Sequence, residues 1–329
     1  MNQQQVMICD RSKCGLLQIT GEDRLNYLHN QSTNDFNSLK SGEGCETVFV
    51  TSTARTIDLA TTYVTEDAVL VIVSPNRRQH LAEWLDKFIF PFDKVEVADV
   101  SANYALLTLI GSESDRVLSS LEVNNLSDLA SYNHQLITID DVQIRIGVGS
   151  DLALPGYNLI FPIENLDKIL SSICEQKVQE IGDREWEELR ISQGRPAPDQ
   201  ELTEDYNPLE AGLWQTISFE KGCYIGQETI ARLNTYNGVK QRLWGVKFAK
   251  ADYQAIAKNA LTVGTPIIIE EKKVGVLTSF TIIEQEPLGL AYVRTKAGGI
   301  GSSIEIGEFS GKLVDLPFLN HPNTLNIDH

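Results

Sequence analysis

Past about residue 240 the chain is cut into short apolar runs, and this cadence constrains the fold more tightly than any other feature. Residues 243–248, 265–270, 273–283, 288–293 and 303–306 are strand-length stretches separated by Gly and Pro signals. Short strands at such close spacing are the mark of a small all-β barrel or sandwich. The texture therefore predicts a β domain over 241–329 and a different region over 1–240.

The first region mixes periods of two and 3.6. Residues 15–20 read as a strand, Gly21 as a turn, and Asp23 as the opening of a helix that carries Leu25 and Leu28. The polar string 30–35 then breaks the periodicity. It reads either as a solvated helix end, where Asn, Ser and Asp are favoured anyway, or as a loop offering amides and a carboxylate to a ligand. Strands are expected at 45–53, 57–64, 68–73, 95–100 and 104–110, and a hairpin over 135–148 turning at Asp140-Asp141. Helices are expected at 77–90, with Leu81, Trp84, Leu85 and Phe88 on one face, and at 115–121, 165–178 and 182–193. Gly194, with Pro196 and Pro198 beyond it, closes the last of these, and 195–208 is a loop rich in Pro, Asp and Glu. The last dozen residues read as a tail.

At 329 residues the chain can bury a sizeable core without a metal or disulfide staple. Its net charge of −17 repels phosphate backbones and anionic membrane surfaces, so a long nucleic acid is not expected as a partner. A local basic pocket for a small anion is still compatible with that total. Cysteines at 9, 14, 45, 174 and 223 form an odd, irregular set, which points to free thiols in a reducing compartment. Cys9 and Cys14 have no zinc-spaced partners, so no metal site is expected. Cys174 falls in the apolar stripe of its helix and reads as a packed, inert thiol. With neither a secretory signal nor an apolar run of about 18 residues, the expectation is a soluble cytoplasmic protein, or an organelle protein after removal of its transit peptide.

Chemistry is concentrated in Lys221-Gly222-Cys223-Tyr224-Ile225-Gly226-Gln227-Glu228. The five histidines follow no metal-binding pattern, and Gly-x-Gly-x-x-Gly, P-loop and Gly-x-Ser-x-Gly motifs are missing. Within the string, Lys221 could raise the thiolate fraction of Cys223. A cysteine nucleophile also calls for a base, and the histidines nearest in sequence are His134 and His321. The alternative is a structural thiol beside a glycine turn.

That string resembles the signature of the YgfZ-type folate-binding proteins, relatives of the glycine-cleavage T-protein, an aminomethyltransferase. Supporting matches are Leu189-Arg190, Gly194-Arg195-Pro196, Pro208-Leu209-Glu210-Ala211-Gly212-Leu213 and Arg232, with 30–35 similar to the family's Gln-x-Thr-Asn-Asp segment. Segments 265–266, 274–279 and 288–293 are similar to its C-terminal β domain. Where relatives carry Gly-Arg after the second strand, this chain has Ala54-Arg55.

The resemblance implies an α+β fold: a three-subdomain aminomethyltransferase-like ring whose central channel holds tetrahydrofolate or a one-carbon derivative, with a small C-terminal β-barrel. It makes Glu210 the candidate for the pterin and Arg232 for a supporting contact, since a carboxylate accepts from an N–H edge and Arg suits folate's carboxylates. Asn34, Asp35, Tyr224, Gln227 and Glu228 join them as candidate cofactor-binding residues, and Cys223 and Lys221 as the candidate catalytic pair. The implied role is support of iron–sulfur cluster synthesis or repair, and through it tRNA modification, with iron–sulfur enzymes or assembly proteins as partners. Two other readings stay open: a folate-dependent aminomethyltransferase using Asp35 or Asp58, and a non-catalytic adaptor whose acidic surface docks basic partners.

Overall fold

The computed structural model describes residues 5–126, 128–249, 253–258 and 261–317. The chain divides into two units, Met1–Asp183 with Gln215–Gln227, and Arg184–Trp214 with Glu228–His329. The first contains β1 (Met7–Asp10), β2 (Gly15–Thr20), α1 (Arg24–Gln31), β3 (Gly44–Val50), β4 (Thr56–Val64), β5 (Ala68–Val73), α2 (Arg78–Lys87), β6 (Glu96–Asp99), β7 (Tyr104–Ile110), α3 (Ser114–Ser120), β8 (His134–Ile139), β9 (Val142–Val148), β10 (Gly156–Pro162), α4 (Leu166–Cys174) and β11 (Gln179–Ile181). They build a five-stranded sheet, β3-β4-β5-β2-β6, and a six-stranded sheet, β11-β1-β7-β10-β9-β8.

The period of two explains how these sheets layer. Val69, Val71 and Val73 of β5 pack with Leu28 of α1 and Leu81 and Leu85 of α2, while Leu70 and Ile72 point the other way. There they meet Leu106 of β7 and Ile160 of β10 from the second sheet, whose opposite face packs Leu107 and Leu159 against Val117 of α3 and Ile169 of α4. The result is helix, sheet, sheet, helix. A strand buried on both faces cannot alternate with polar residues, which is why 68–73 is apolar throughout. Polar side chains between the sheets are paired: Asp151 accepts from Arg11 at 2.5 Å, Thr61 at 2.8 Å and Asn158 at 2.9 Å.

Most of the expected elements form, with shifts at their ends. The helix expected over 165–178 stops at Cys174, because Lys177 adopts φ +65° and turns the chain into β11. Val178 still reaches the core, but from outside the helix. Asp140 and Asp141, at φ +49° and +63°, form the expected hairpin turn. β1, β10 and β11 are additions that periodicity does not predict; each is defined by its pairing with distant segments, as β10 is with β7 and β9.

The second unit holds α5 (Asp183–Gln193), α6 (Gln227–Thr235), β12 (Gln241–Phe248), α7 (Tyr253–Lys258), β13 (Pro266–Ile269), β14 (Lys272–Ile283), β15 (Glu286–Arg294), β16 (Ser303–Ile306) and β17 (Phe309–Val314); α5 and α6 each start one residue inside the first unit. The strands close into a barrel in the order β12-β15-β14-β13-β16-β17. β17, which carries Gly311 and Lys312 and has no clear alternation, is the strand the sequence does not reveal; it closes the barrel by pairing with β12. Closure removes the open edges that a five-stranded sheet would leave. α5 ends as expected: Gly194 sits at φ +70°, its N–H donates to Ile191, and the N–H of Arg195 donates to Arg190. The expected tail, 318–329, lies outside the described residues. Among the described residues no helix is long and apolar enough to cross a membrane.

Candidate functional site

The polar string after α1 is a loop stitched to both of its neighbours. Ser32 caps α1 in an extended conformation, its hydroxyl donating to Leu28 O at 2.9 Å. Fully buried Thr33 accepts from the N–H of Val48 in β3 at 2.9 Å and donates to Thr216 O at 2.7 Å. The Asn34 amide donates to Glu46 O at 2.7 Å and accepts from the N–H of Asp35 at 2.8 Å. This loop therefore ties β3 to the segment that leads into residues 221–228.

Lys221 completes the tie. Its ammonium, buried beneath the loop, donates to the carbonyls of His29, Ser32 (2.8 Å) and Asn34 (2.6 Å). His29 lies in the last turn of α1 and Ser32 caps it, so their carbonyls lack helical partners, and the negative end of the helix dipole favours a cation there. Its Nζ also stands 4.7 Å from the centre of the Tyr224 ring. Burial lowers the Lys221 pKa to about 7, with Asp35 and Cys45 opposing. The three carbonyl acceptors favour the charged form, so the ammonium is the species the loop is built around.

After Lys221 the chain reaches the surface and returns. Cys223 is exposed. Tyr224 is buried, which pushes its phenol up to about 12. Ile225 N–H donates to Asn30 O at 3.0 Å, and Gly226 turns at φ +82° into α6. A Cβ on Gly226 would lie 2.8 Å from Thr51 O and 3.1 Å from Cα of Ala54, so glycine is required for both angle and space. Ala54 itself is buried at φ +60° and keeps the turn, its N–H donating to Thr51 O at 2.8 Å. Ala54 thus holds this turn in a left-handed conformation that glycine adopts without strain.

His29 is the residue that sequence spacing misses. It is 7% exposed, with Nδ1 standing 2.9 Å from Asp35 Oδ1, a close approach that is not aligned as a hydrogen bond. Its Nε2 lies 3.6 Å from where a Cβ on Gly222 would sit. Burial and the Lys221 ammonium lower its pKa, with Asp35 opposing, which favours the neutral ring. His134, by contrast, is committed elsewhere: Val64 O lies 2.9 Å from its Nε2, and Arg145 Nη1 lies 2.9 Å from its Nδ1. His321 lies outside the described residues. The available signal was that His29 directly precedes the polar string.

The first unit thus brings Asn34, Asp35, Lys221 and Tyr224 together, with Cys223 on the same loop and Gln227 at its end. Glu210, Glu228 and Arg232 belong to the second unit. There, Glu210 and Asn207 form a reciprocal cap: Glu210 Oε2 accepts from the N–H of Asn207 at 3.1 Å, and Asn207 Oδ1 accepts from that of Glu210 at 3.1 Å. Glu210 is 7% exposed. Arg232, in the last turn of α6, is exposed, and Glu228 lies in its first turn. Elsewhere in this unit, Arg190 of α5 is clamped by Glu187, Glu201, Gln200, Ser279 and the carbonyl of Arg195. Tyr292, whose hydroxyl donates to Glu201 O at 2.9 Å, stacks on Tyr206 with ring centres 3.5 Å apart.

Asp58, the other carboxylate considered for proton transfer, is fully buried and accepts from Ser74 N (2.8 Å), Ser74 Oγ (2.7 Å) and Leu59 N (2.9 Å). No group of three or more potential metal ligands occurs among the described residues. For a pterin, the chemistry of the donor set fits. Gln193 Oε1 in the second unit is a buried acceptor with no hydrogen-bond partner, and the Glu210 carboxylate is an acceptor of the kind an N–H edge requires.

Comparison with known proteins places this geometry among relatives. A family model described as the GCVT N-terminal domain matches residues 1–221. A provisionally named chloroplastic transferase of Arabidopsis thaliana is 40% identical over 98% of this chain and 73% of its own length. An aminomethyltransferase of Listeria monocytogenes is 26% identical over 94% of this chain and 85% of its own. Among solved structures, the glycine cleavage system aminomethyltransferase T of Bartonella henselae superposes with a TM-score of 0.82 at 18% identity, covering 96% of this chain and 87% of that one.

Proposed function

Since the chain belongs to the GCVT N-terminal domain family, whose fold is aminomethyltransferase-like and folate-binding, we propose that it binds tetrahydrofolate or a one-carbon derivative of it. We further propose that, as a YgfZ-type accessory protein, it supports iron–sulfur cluster synthesis or repair, and indirectly tRNA modification, in the cytoplasm or an organelle. Residues 1–240 would form the folate-binding region and 241–329 its β domain. The observation that carries the accessory role is the Lys221–Glu228 loop, in which Lys221, Ile225 and Gly226 are held from within while Cys223 faces solvent. A loop fixed at so many points presents its thiol without an ordering penalty.

For the folate, Glu210 would accept from the pterin N–H groups, and Arg232 would pair with a glutamate carboxylate. Asn34, Asp35, Tyr224, Gln227 and Glu228 are proposed as further contacts. When bound, the folate would supply one-carbon chemistry. The transferase reading draws support from the Listeria relative's name, but the three donors on Asp58 leave that carboxylate poorly placed to take a proton.

Titration calorimetry with tetrahydrofolate tests the first half of the proposal: binding that Glu210→Ala weakens at least tenfold is expected, and no heat with the intact protein would remove the cofactor. Iron–sulfur enzyme activity in cells carrying Cys223→Ala tests the second; wild-type activity would remove the thiol's role. Methylene-tetrahydrofolate formed from glycine in vitro would favour the transferase.

A further inference from the structure

We infer that His29 is the proton acceptor for the Cys223 thiol and that Asp35 positions its ring, a reading that rests on Cys223 being the reactive thiol proposed above. Two approaches set the ring between the loop after α1 and the thiol loop. Asp35, in the loop after α1, stands 2.9 Å from Nδ1 of His29. The opposite nitrogen, Nε2, faces the Gly222 backbone, 3.6 Å from the position of an added Cβ. Cys223, the next residue, is exposed.

The tautomer follows from charge. A lone pair on Nδ1 would face the Asp35 carboxylate, so the proton resides on Nδ1 and the lone pair on Nε2. That leaves the accepting nitrogen on the side of the thiol loop. A Cβ at 222 would stand in ordinary van der Waals contact with Nε2, so the backbone of the thiol loop passes directly beside the ring.

The charged groups facing the ring are Asp35 and Lys221. Lys221 repels a proton on the ring and Asp35 attracts one, so the two together hold a neutral imidazole ready to accept. When the thiol ionises, its proton moves to Nε2 and the electron pair stays on sulfur. The resulting imidazolium then faces the carboxylate through Nδ1–H, which is the arrangement that stabilises it.

Alkylation by iodoacetamide tests the assignment. The thiolate forms an S–C bond as the C–I bond breaks and iodide leaves, and the peptide carrying Cys223 is quantified by mass spectrometry across a range of pH. His29→Gln is expected to slow alkylation about tenfold at neutral pH and to displace the profile toward alkaline pH, the effect of losing a base beside a thiol. Asp35→Asn is expected to displace it in the same direction by less. A profile for His29→Gln that overlays the wild type overturns the inference. Should His29→Gln fail to reach the wild-type denaturation midpoint, Asp35→Asn decides by its own displacement or the lack of one. The readout needs no folate, so absent tetrahydrofolate binding would sink the cofactor and leave this assignment standing.

Discussion

Each unit buries a cation, and the two are held in opposite ways. Arg190 lies against carboxylates: Glu187 at 2.6 Å and Glu201 at 3.0 Å, with side chains of 4% and 0% exposure for Arg190 and Glu201. Burial works against its charge, but Glu187 and Glu201 outweigh that, and its pKa is raised. Lys221 is held by carbonyl dipoles with the Tyr224 ring beside it, and its pKa falls to about 7, burial being the main cause. A planar fork with several donors can use up two carboxylates and an amide at once, while a point charge with three donors suits a ring of carbonyls. The carboxylates around Arg190 are engaged by it, whereas Asp35 stands beside His29 and accepts from the N–H of Asn37.

That contrast can be broken at its strongest point first. Arg190→Met strands Glu201 as an uncompensated buried charge and should destabilise the protein by about 3–5 kcal/mol in chemical denaturation. A loss below about 1 kcal/mol would show that the Arg190 clamp is ornamental. Lys221→Met removes the donor from three carbonyls, at His29, Ser32 and Asn34, and should destabilise by about 2 kcal/mol. It should also speed amide exchange across residues 30–35, since the loop loses its anchor; unchanged exchange there would mean that Thr33 and Asn34 suffice to hold it. The smallest effect is a gain. Ala54→Gly relieves a left-handed alanine under Gly226 and should stabilise by about 1 kcal/mol. A loss instead would show that the Ala54 methyl is worth more packed at this site than the strain it brings.

Sequence legibility tracked how local each signal was. Strand β5 could be read from six apolar residues in a row, and the turn at Asp140-Asp141 from two residues that tolerate positive φ. α5 could be read to its end because Gly194 is the stop signal itself. β17 could not, because Phe-Ser-Gly-Lys-Leu-Val acquires its identity only from β12 and β16 on either side. The site shows the same division. Lys221 and Cys223 stood out in the string, but the donors of Lys221 reach carbonyls 187 to 192 residues away. His29 was hidden for the same reason: nothing in its spacing relates it to Gly222.

By itself, then, the sequence determined the mixed α and β character of the chain, its C-terminal β domain, and the loop where its chemistry is concentrated, because periodicity, glycine turns and residue identity are properties of neighbours. The tertiary structure alone decided that Lys221 serves the end of α1, that Ala54 holds a glycine's conformation, and that His29 and Asp35 stand at the thiol loop. Hydrogen bonds and ion contacts act over a few ångströms whatever the separation along the chain, so which groups they join is settled only when the strands and loops are packed.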